Sequence, residues 1–284
     1  MKGEVFVQSR KIRFALLGVA LLAIAALAAV GAVALASPAL PIVTSTPQHA
    51  DQMTNVDVLK QQIKNYYGDP TGTGNFSQDS NYADDASHVA THAGHWLANR
   101  EHGHAKSGTP AILLDVDDTT LATYNYEIFS NWAFNPATNA DFVLNQRFPA
   151  VPGMVDMVNQ AKAEGYTIIF LTGRPQTQEA ATLGNLLKVG YPAPSPLPNA
   201  TLGGGSDGLF TKPAIANYPP YLHFCNAPTP ATSCNTDEYK SATRQYIESL
   251  GYDIVANFGD QFSDFSGGFE DHTFKMPNPS YFLP

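Results

Sequence analysis

The chain has 284 residues, with 44% apolar and 14% charged side chains and a formal net charge of −9. It is long enough to bury a substantial core. The acidic balance excludes extended nucleic-acid binding, which draws its affinity from basic surface, so any attraction for phosphate must be local.

The N-terminus carries Lys2, Arg10, Lys11 and Arg13, then an uncharged stretch over residues 14–36 that closes on Ala34-Leu35-Ala36 before Ser37. This reads as export by a cleaved signal peptide or an uncleaved membrane anchor, and either would leave the remainder outside the cytoplasm. No cysteine lies near residue 36, so a lipid anchor is not indicated. Residues 37–80 read as a Pro-bearing tether, a short amphipathic helix at 55–67 and a loop at 69–80. Residues 81–284 read as the main domain. It opens on a helix at 83–100 that sends Val89, Trp96 and Leu97 toward the core. That helix also carries His88, His92 and His95 on one face, with His102 and His104 following. The spacing suits Zn²⁺ or Ni²⁺, but no acidic partner accompanies it and a polar helix face is the favoured reading.

Residues 111–114, Ala-Ile-Leu-Leu, make a buried parallel strand running into Asp115-Val116-Asp117-Asp118-Thr119. Ligands in open α/β sheets bind beyond the carboxyl ends of such strands. Paired carboxylates there repel unless a cation intervenes, and hard oxygen ligands suit Mg²⁺. The competing reading is an acidic turn capping the next helix, and for Asp118 that structural role is favoured. Residues 122–151 follow as a cap insertion rich in aromatics (Tyr124, Tyr126, Phe129, Trp132, Phe134). These rings either wall a leaving-group pocket or bury the cap against the core.

A second strand, residues 166–171, ends in Thr172-Gly173-Arg174. Thr172 can donate to a phosphoryl oxygen, while Arg174 has two readings, a substrate anion or an acidic partner. The Gly/Pro-rich stretch 191–235 reads as a loop insertion flanking the site mouth. Within it Cys225 and Cys234, the only cysteines, are expected to form a disulfide in an oxidising compartment. Lys240 sits in a helical stretch, where an ammonium neutralises both a phosphoryl group and crowded aspartates. Lys212, beside Pro213, is the weaker rival for that role. The last strand, residues 253–258, leads into Gly259-Asp260, and Asp264 follows four residues later.

Asp-x-Asp-x-Thr, a strand-end Thr, a helical Lys and Gly-Asp-x-x-x-Asp, in that order, resemble the four signature motifs of the haloacid dehalogenase superfamily. The resemblance runs from about residue 82 to the C-terminus. The surrounding residues look most like the exported acid phosphatases of class B and class C and their plant storage-protein relatives. The resemblance implies a Rossmann-like α/β fold, a parallel sheet flanked by helices with a small cap. It also implies Mg²⁺-dependent hydrolysis of a small phosphomonoester. Asp115 would be the nucleophile that forms an aspartyl-phosphate, and Asp117 the acid and base. Thr172, Gly173, Arg174 and Lys240 would cradle the phosphate. The metal would rest on the Asp115 side chain, the Asp117 main-chain carbonyl and Asp260, with Asp264 a ligand or an orienting neighbour. Two alternatives stand: a phosphotransferase using the same intermediate, and a non-catalytic storage or binding protein, against which the retained Asp115 argues.

Overall fold

The computed structural model describes residues 46–100, 108–202, 204–226 and 233–283. The expected leader or anchor at 1–36, the first part of the tether, and His102 and His104 lie outside them. Among the described residues no helix is long and apolar enough to cross a membrane.

The helix expected at 55–67 is α1 (Val56–Tyr66), started by Asn55, whose side chain accepts the backbone N–H groups of Asp57 and Val58. The helix expected at 83–100 is α2 (Asn81–Asn99), with Ser80 accepting the Ala83 N–H. Strand β1 (Thr109–Leu114) follows, and after it the cap helices α3 (Tyr124–Ser130) and α4 (Pro136–Leu144). Then come α5 (Met154–Ala163), β2 (Thr167–Pro175) and α6 (Glu179–Lys188). The chain continues through β3 (Leu209–Lys212), α7 (Thr236–Ser249), β4 (Tyr252–Gly259) and β5 (Thr273–Lys275).

The five strands form one parallel sheet in the order β3-β2-β1-β4-β5. Successive strand side chains point to opposite faces, and here both faces are covered. Ile112 and Leu114 of β1, with Ile168 and Phe170 of β2, join a core with Leu97, Tyr124 and Val158. Ala111, Leu113, Ile169 and Leu171 join the opposite core with Tyr239 and Ile247 of α7. Burial on both faces explains why these strands read as unbroken apolar runs.

One expectation needs correction. The stretch 191–235, read as a loop insertion, holds the edge strand β3, whose Leu209 and Phe210 pair with Phe170 and Leu171. Four residues set among glycines and prolines are too short to show a period, and only pairing with β2 makes them a strand. The same stretch closes with the expected disulfide, Cys225 to Cys234.

The strand order also places the site. From β1 the chain winds outward through β2 and β3, then returns to the other side of β1 as β4. The sheet therefore has a topological switch at the carboxyl ends of β1 and its neighbours, where such sheets form a crevice.

Candidate active site

β1 ends at Leu114, whose register partner on β4 is Phe258, and the Asp115 N–H continues the ladder to the Phe258 carbonyl at 3.0 Å. Asp115 and Asp260 thus emerge side by side because their strands are paired. On the other side Leu114 pairs with Phe170, which brings Thr172 to the same edge. Gly259 is required for the turn that follows: a Cβ there would come within 2.3 Å of the Asp264 side chain. The glycine lets Asp264 fold back beneath the strand end.

Lys240, on α7, joins these acids. Its Nζ donates to Asp115 Oδ1 at 2.6 Å and to Asp264 Oδ1, and all three side chains are nearly buried. The helix is held by a reciprocal cap between Asn235 and Glu238. One turn beyond Lys240, the buried Arg244 donates to the carbonyls of Asp264 at 2.6 Å, Ser266 and Gly268 at 2.7 Å, and pairs with Glu270 at 3.0 Å. One helix face therefore neutralises the carboxylates and ties down the loop that presents them. Sequence reasoning missed Arg244, although its i, i+4 spacing from Lys240 was the available signal.

Asp115, Asp260 and Asp264 each offer an oxygen within 4.8 Å of the others, the one such group of His, Cys, Asp or Glu among the described residues. Burial, outweighing the pull of Lys240, pushes the Asp115 carboxyl well above the ordinary range, and Asp264, Asp260 and Asp117 add to the rise. Burial and the Asp264 charge push Asp260 up to about 8. Against the cost of burial, Asp115 and Asp264 hold the Lys240 ammonium charged. Three carboxyls crowded against one ammonium hold protons tightly unless a further cation neutralises them, and as hard oxygen donors they fit a divalent ion such as Mg²⁺.

Asp117 is placed differently. Its side chain is one-third exposed, and Arg174 grips it with Nε to Oδ2 at 3.0 Å and Nη2 to Oδ1 at 2.6 Å. Of the two readings for Arg174, the structure displays the acidic partner; its Nη1 also donates to Thr182 at 3.1 Å. Thr172 is buried and its Oγ1 accepts the Arg174 N–H at 3.2 Å, so its own hydroxyl proton is directed elsewhere. Gly173 borders a cleft of about 340 Å³ lined by Gln176, Lys212 and Asn217, and a Cβ on Gly173 would meet nothing within 4 Å. Lys212 donates to the Cys234 carbonyl, away from the carboxylates, so Lys240 alone of the two sits in the cluster.

Asp118 takes a structural part. It adopts φ 52°, accepts the Thr123 N–H at 2.9 Å and the Thr123 hydroxyl, and fastens the turn after β1. Of the cap aromatics, two take the packing reading and two lie at the surface. Tyr124 and Tyr126 are buried, Tyr124 stacking on Tyr67 at 4.1 Å, while Phe129 and Phe134 are exposed. His92 lies against the Phe274 ring at 5.9 Å, and the α2 histidines do not meet in a group of three ligand atoms. Also missed in the sequence were Gln261 and Asn278, whose amides donate to Asp260 Oδ2 at 2.5 and 2.6 Å, and Glu127, a buried carboxyl that feels the Asp117 charge. Gln261 had adjacency to Asp260 as a clue; the other two had none.

The model for the HAD superfamily, subfamily IIIB (acid phosphatase), matches residues 38–203 and 225–284. The chain is 29% identical over 177 residues to the stem 28 kDa glycoprotein of Glycine max, covering 61% of this chain and 59% of that protein. It is 26% identical over 204 residues to acid phosphatase 1 of Solanum lycopersicum, covering 69% and 67% respectively. It therefore spans less than two thirds of the length of the Glycine max relative. In structure it resembles the class C acid phosphatase of Bacillus anthracis with tungstate bound. That match has a TM-score of 0.55 and 19% identity, and covers 80% of this chain and 87% of that one.

Proposed function

The chain belongs to subfamily IIIB of the HAD superfamily, the acid phosphatases, and we propose that it is an exported, Mg²⁺-dependent phosphatase of small phosphomonoesters working through an aspartyl-phosphate. The observation that carries this reading is the Asp115 carboxylate, held by Lys240 at 2.6 Å and grouped with Asp260 and Asp264. A storage role needs no such cluster.

Asp115, Asp260 and Asp264 are the side chains that would hold Mg²⁺, and the ion would supply neutralisation of phosphoryl charge. The remaining steps belong to the chain. Lys240 and the Thr172 hydroxyl bind phosphoryl oxygens, orienting phosphorus toward Asp115. A carboxylate oxygen of Asp115 forms a bond to phosphorus as the ester P–O bond breaks, and the departing oxygen takes a proton from Asp117. Water then attacks the phosphorus, giving its proton to Asp117 and releasing Asp115. Arg174 holds both Asp117 oxygens, so each proton transfer requires one bond of that fork to open. Charge spreads over the equatorial oxygens during transfer, so positioned cations carry most of the catalysis.

Export rests on the basic, then apolar, N-terminal residues and agrees with the Cys225–Cys234 disulfide, a bond of oxidising compartments. The test is release of p-nitrophenol from p-nitrophenyl phosphate by the purified protein, with Mg²⁺ and with EDTA, beside Asp115→Asn. Mg²⁺-dependent release that vanishes in the variant is the expected result. Wild-type turnover by Asp115→Asn would remove the nucleophile, and no release by a folded wild-type protein would remove the phosphatase reading for this substrate class.

A further inference from the structure

The two oxygens of Asp260 have different surroundings. Oδ2 accepts the Gln261 Nε2–H at 2.5 Å and the Asn278 Nδ2–H at 2.6 Å. Oδ1 meets the Thr119 hydroxyl at the long distance of 3.5 Å. Gln261 comes from the turn after β4, but Asn278 comes from beyond β5, eighteen residues further along the chain. Its amide is oriented unambiguously: the NH₂ faces a carboxylate, and its Oδ1 accepts the Ser280 N–H at 2.8 Å, closing a turn.

The rest of the C-terminal segment is fastened to the same place. The Met276 N–H donates to the Gly259 carbonyl at 2.8 Å, and the Leu283 N–H donates to Gln261 Oε1 at 3.0 Å. Gln261 is thereby clamped between Asp260 and the chain end. Asn278 itself is only half-buried, so filling the core does not explain it. Its amide serves one carboxylate in the metal-ligating group.

We propose that residues 276–283 form a strap belonging to the metal site, in which Asn278, together with Gln261, is a positioning residue for Asp260. Two amide donors on Oδ2 stop the carboxylate from rotating and leave its other oxygen for the cation. Partners of this kind orient a ligand before the metal arrives, and their loss typically weakens metal binding by about 10–100-fold. The inference rests on the metal reading given above and adds a residue that touches neither metal nor substrate.

The experiment is a calorimetric titration of Mg²⁺ into the full chain, without substrate, for wild type and Asn278→Ser. Serine keeps an oxygen for the turn but is too short to reach Asp260. The expected result is Mg²⁺ affinity lowered about 10–100-fold, with kcat at saturating Mg²⁺ within about threefold of wild type. A folded Asn278→Ser with wild-type Mg²⁺ affinity overturns the strap while leaving the metal reading intact. So does a variant whose kcat at saturating Mg²⁺ falls although its affinity holds. If the wild-type chain binds no Mg²⁺, the metal reading falls and the strap with it. Should Asn278→Ser lose its cooperative thermal transition, Gln261→Met removes the companion donor on the same oxygen and carries the same expectations.

Discussion

Arg174 and Asp117 meet through a two-bond fork, at 2.6 and 3.0 Å, across fifty-seven residues of chain. The guanidinium is itself set by Thr182 and lies over the Phe148 ring at 5.3 Å. Asp117 is thus the partly exposed, steered carboxylate of the site, whereas Asp115 is the buried one.

This division predicts how the two acids fail. On the proposed mechanism Asp117→Asn removes the proton donor and should lower kcat by about 10²–10⁴-fold. The loss is greater for an alkyl phosphate than for p-nitrophenyl phosphate, whose leaving group needs little help. Arg174→Lys keeps the charge but loses the planar fork, and falls between wild type and Asp117→Asn, at about tenfold. Steady-state kinetics on the two substrates checks both; equal losses of Asp117→Asn on each would contradict the acid–base role.

The grouping of Asp115, Asp260 and Asp264 predicts stabilisation by Mg²⁺. At free Mg²⁺ one hundred times its dissociation constant, the folded state gains about 2.7 kcal/mol. A chain of this size would then melt roughly 5–10 °C higher. Asp260→Asn abolishes that rise, and EDTA reverses it in wild type. Calorimetric melts with and without Mg²⁺ decide the matter, since a rise that survives in Asp260→Asn would place the ion elsewhere.

Glu127, on α3, predicts a pH dependence of stability. Burial, reinforced by the Asp117 charge, pushes its carboxyl up to about 7. In an unfolded chain it titrates near an ordinary value of about 4.3. The folded pKa is the higher one, so the stabilising difference is complete below the unfolded value and is lost as pH rises through about 7. Urea melts at pH 4.5, 6 and 8 should show wild type losing more stability over this interval than Glu127→Gln. Parallel profiles would assign the raised pKa no energetic weight.

The disulfide predicts a stability effect separable from catalysis. Cys234 is buried and immediately precedes Asn235, the cap of the helix that delivers Lys240. A bridge closing so short a loop contributes about 2–3 kcal/mol by restricting the unfolded chain. Cys225→Ser with Cys234→Ser should melt several degrees lower, with kcat of the folded protein near wild type. A large fall in kcat well below the melting temperature would mean that the bridge also sets the position of Lys240.

Much of the site was legible because each element announces itself locally. Asp115 and Asp260 follow apolar runs, Thr172 ends a β-branched run, and Lys240 lies on a helix opened by Asn235 and Glu238. The edge strand β3 was not legible, because Leu209–Lys212 is strand only through its pairing with β2. Asn278 was not legible either, because its partner is one carboxylate oxygen of Asp260, which no residue pattern marks. Arg244 offered only its i, i+4 spacing from Lys240, and its partners, three main-chain carbonyls and Glu270, are set by the fold.

The sequence by itself determined a parallel sheet buried on both faces and the strand ends at which acids, hydroxyl and glycine collect, since hydrophobic runs and their polar stops follow from burial. Only the tertiary structure decided which cation serves which acid. Lys240 lies between Asp115 and Asp264, Arg174 grips Asp117, and Asn278 with Gln261 holds Asp260. Ion pairs and hydrogen bonds form only when atoms come within about 3–4 Å. That proximity is set by the register of β1 with β2 and β4, by the packing of α7, and by the return of the chain end, none of which is encoded in spacing along the chain.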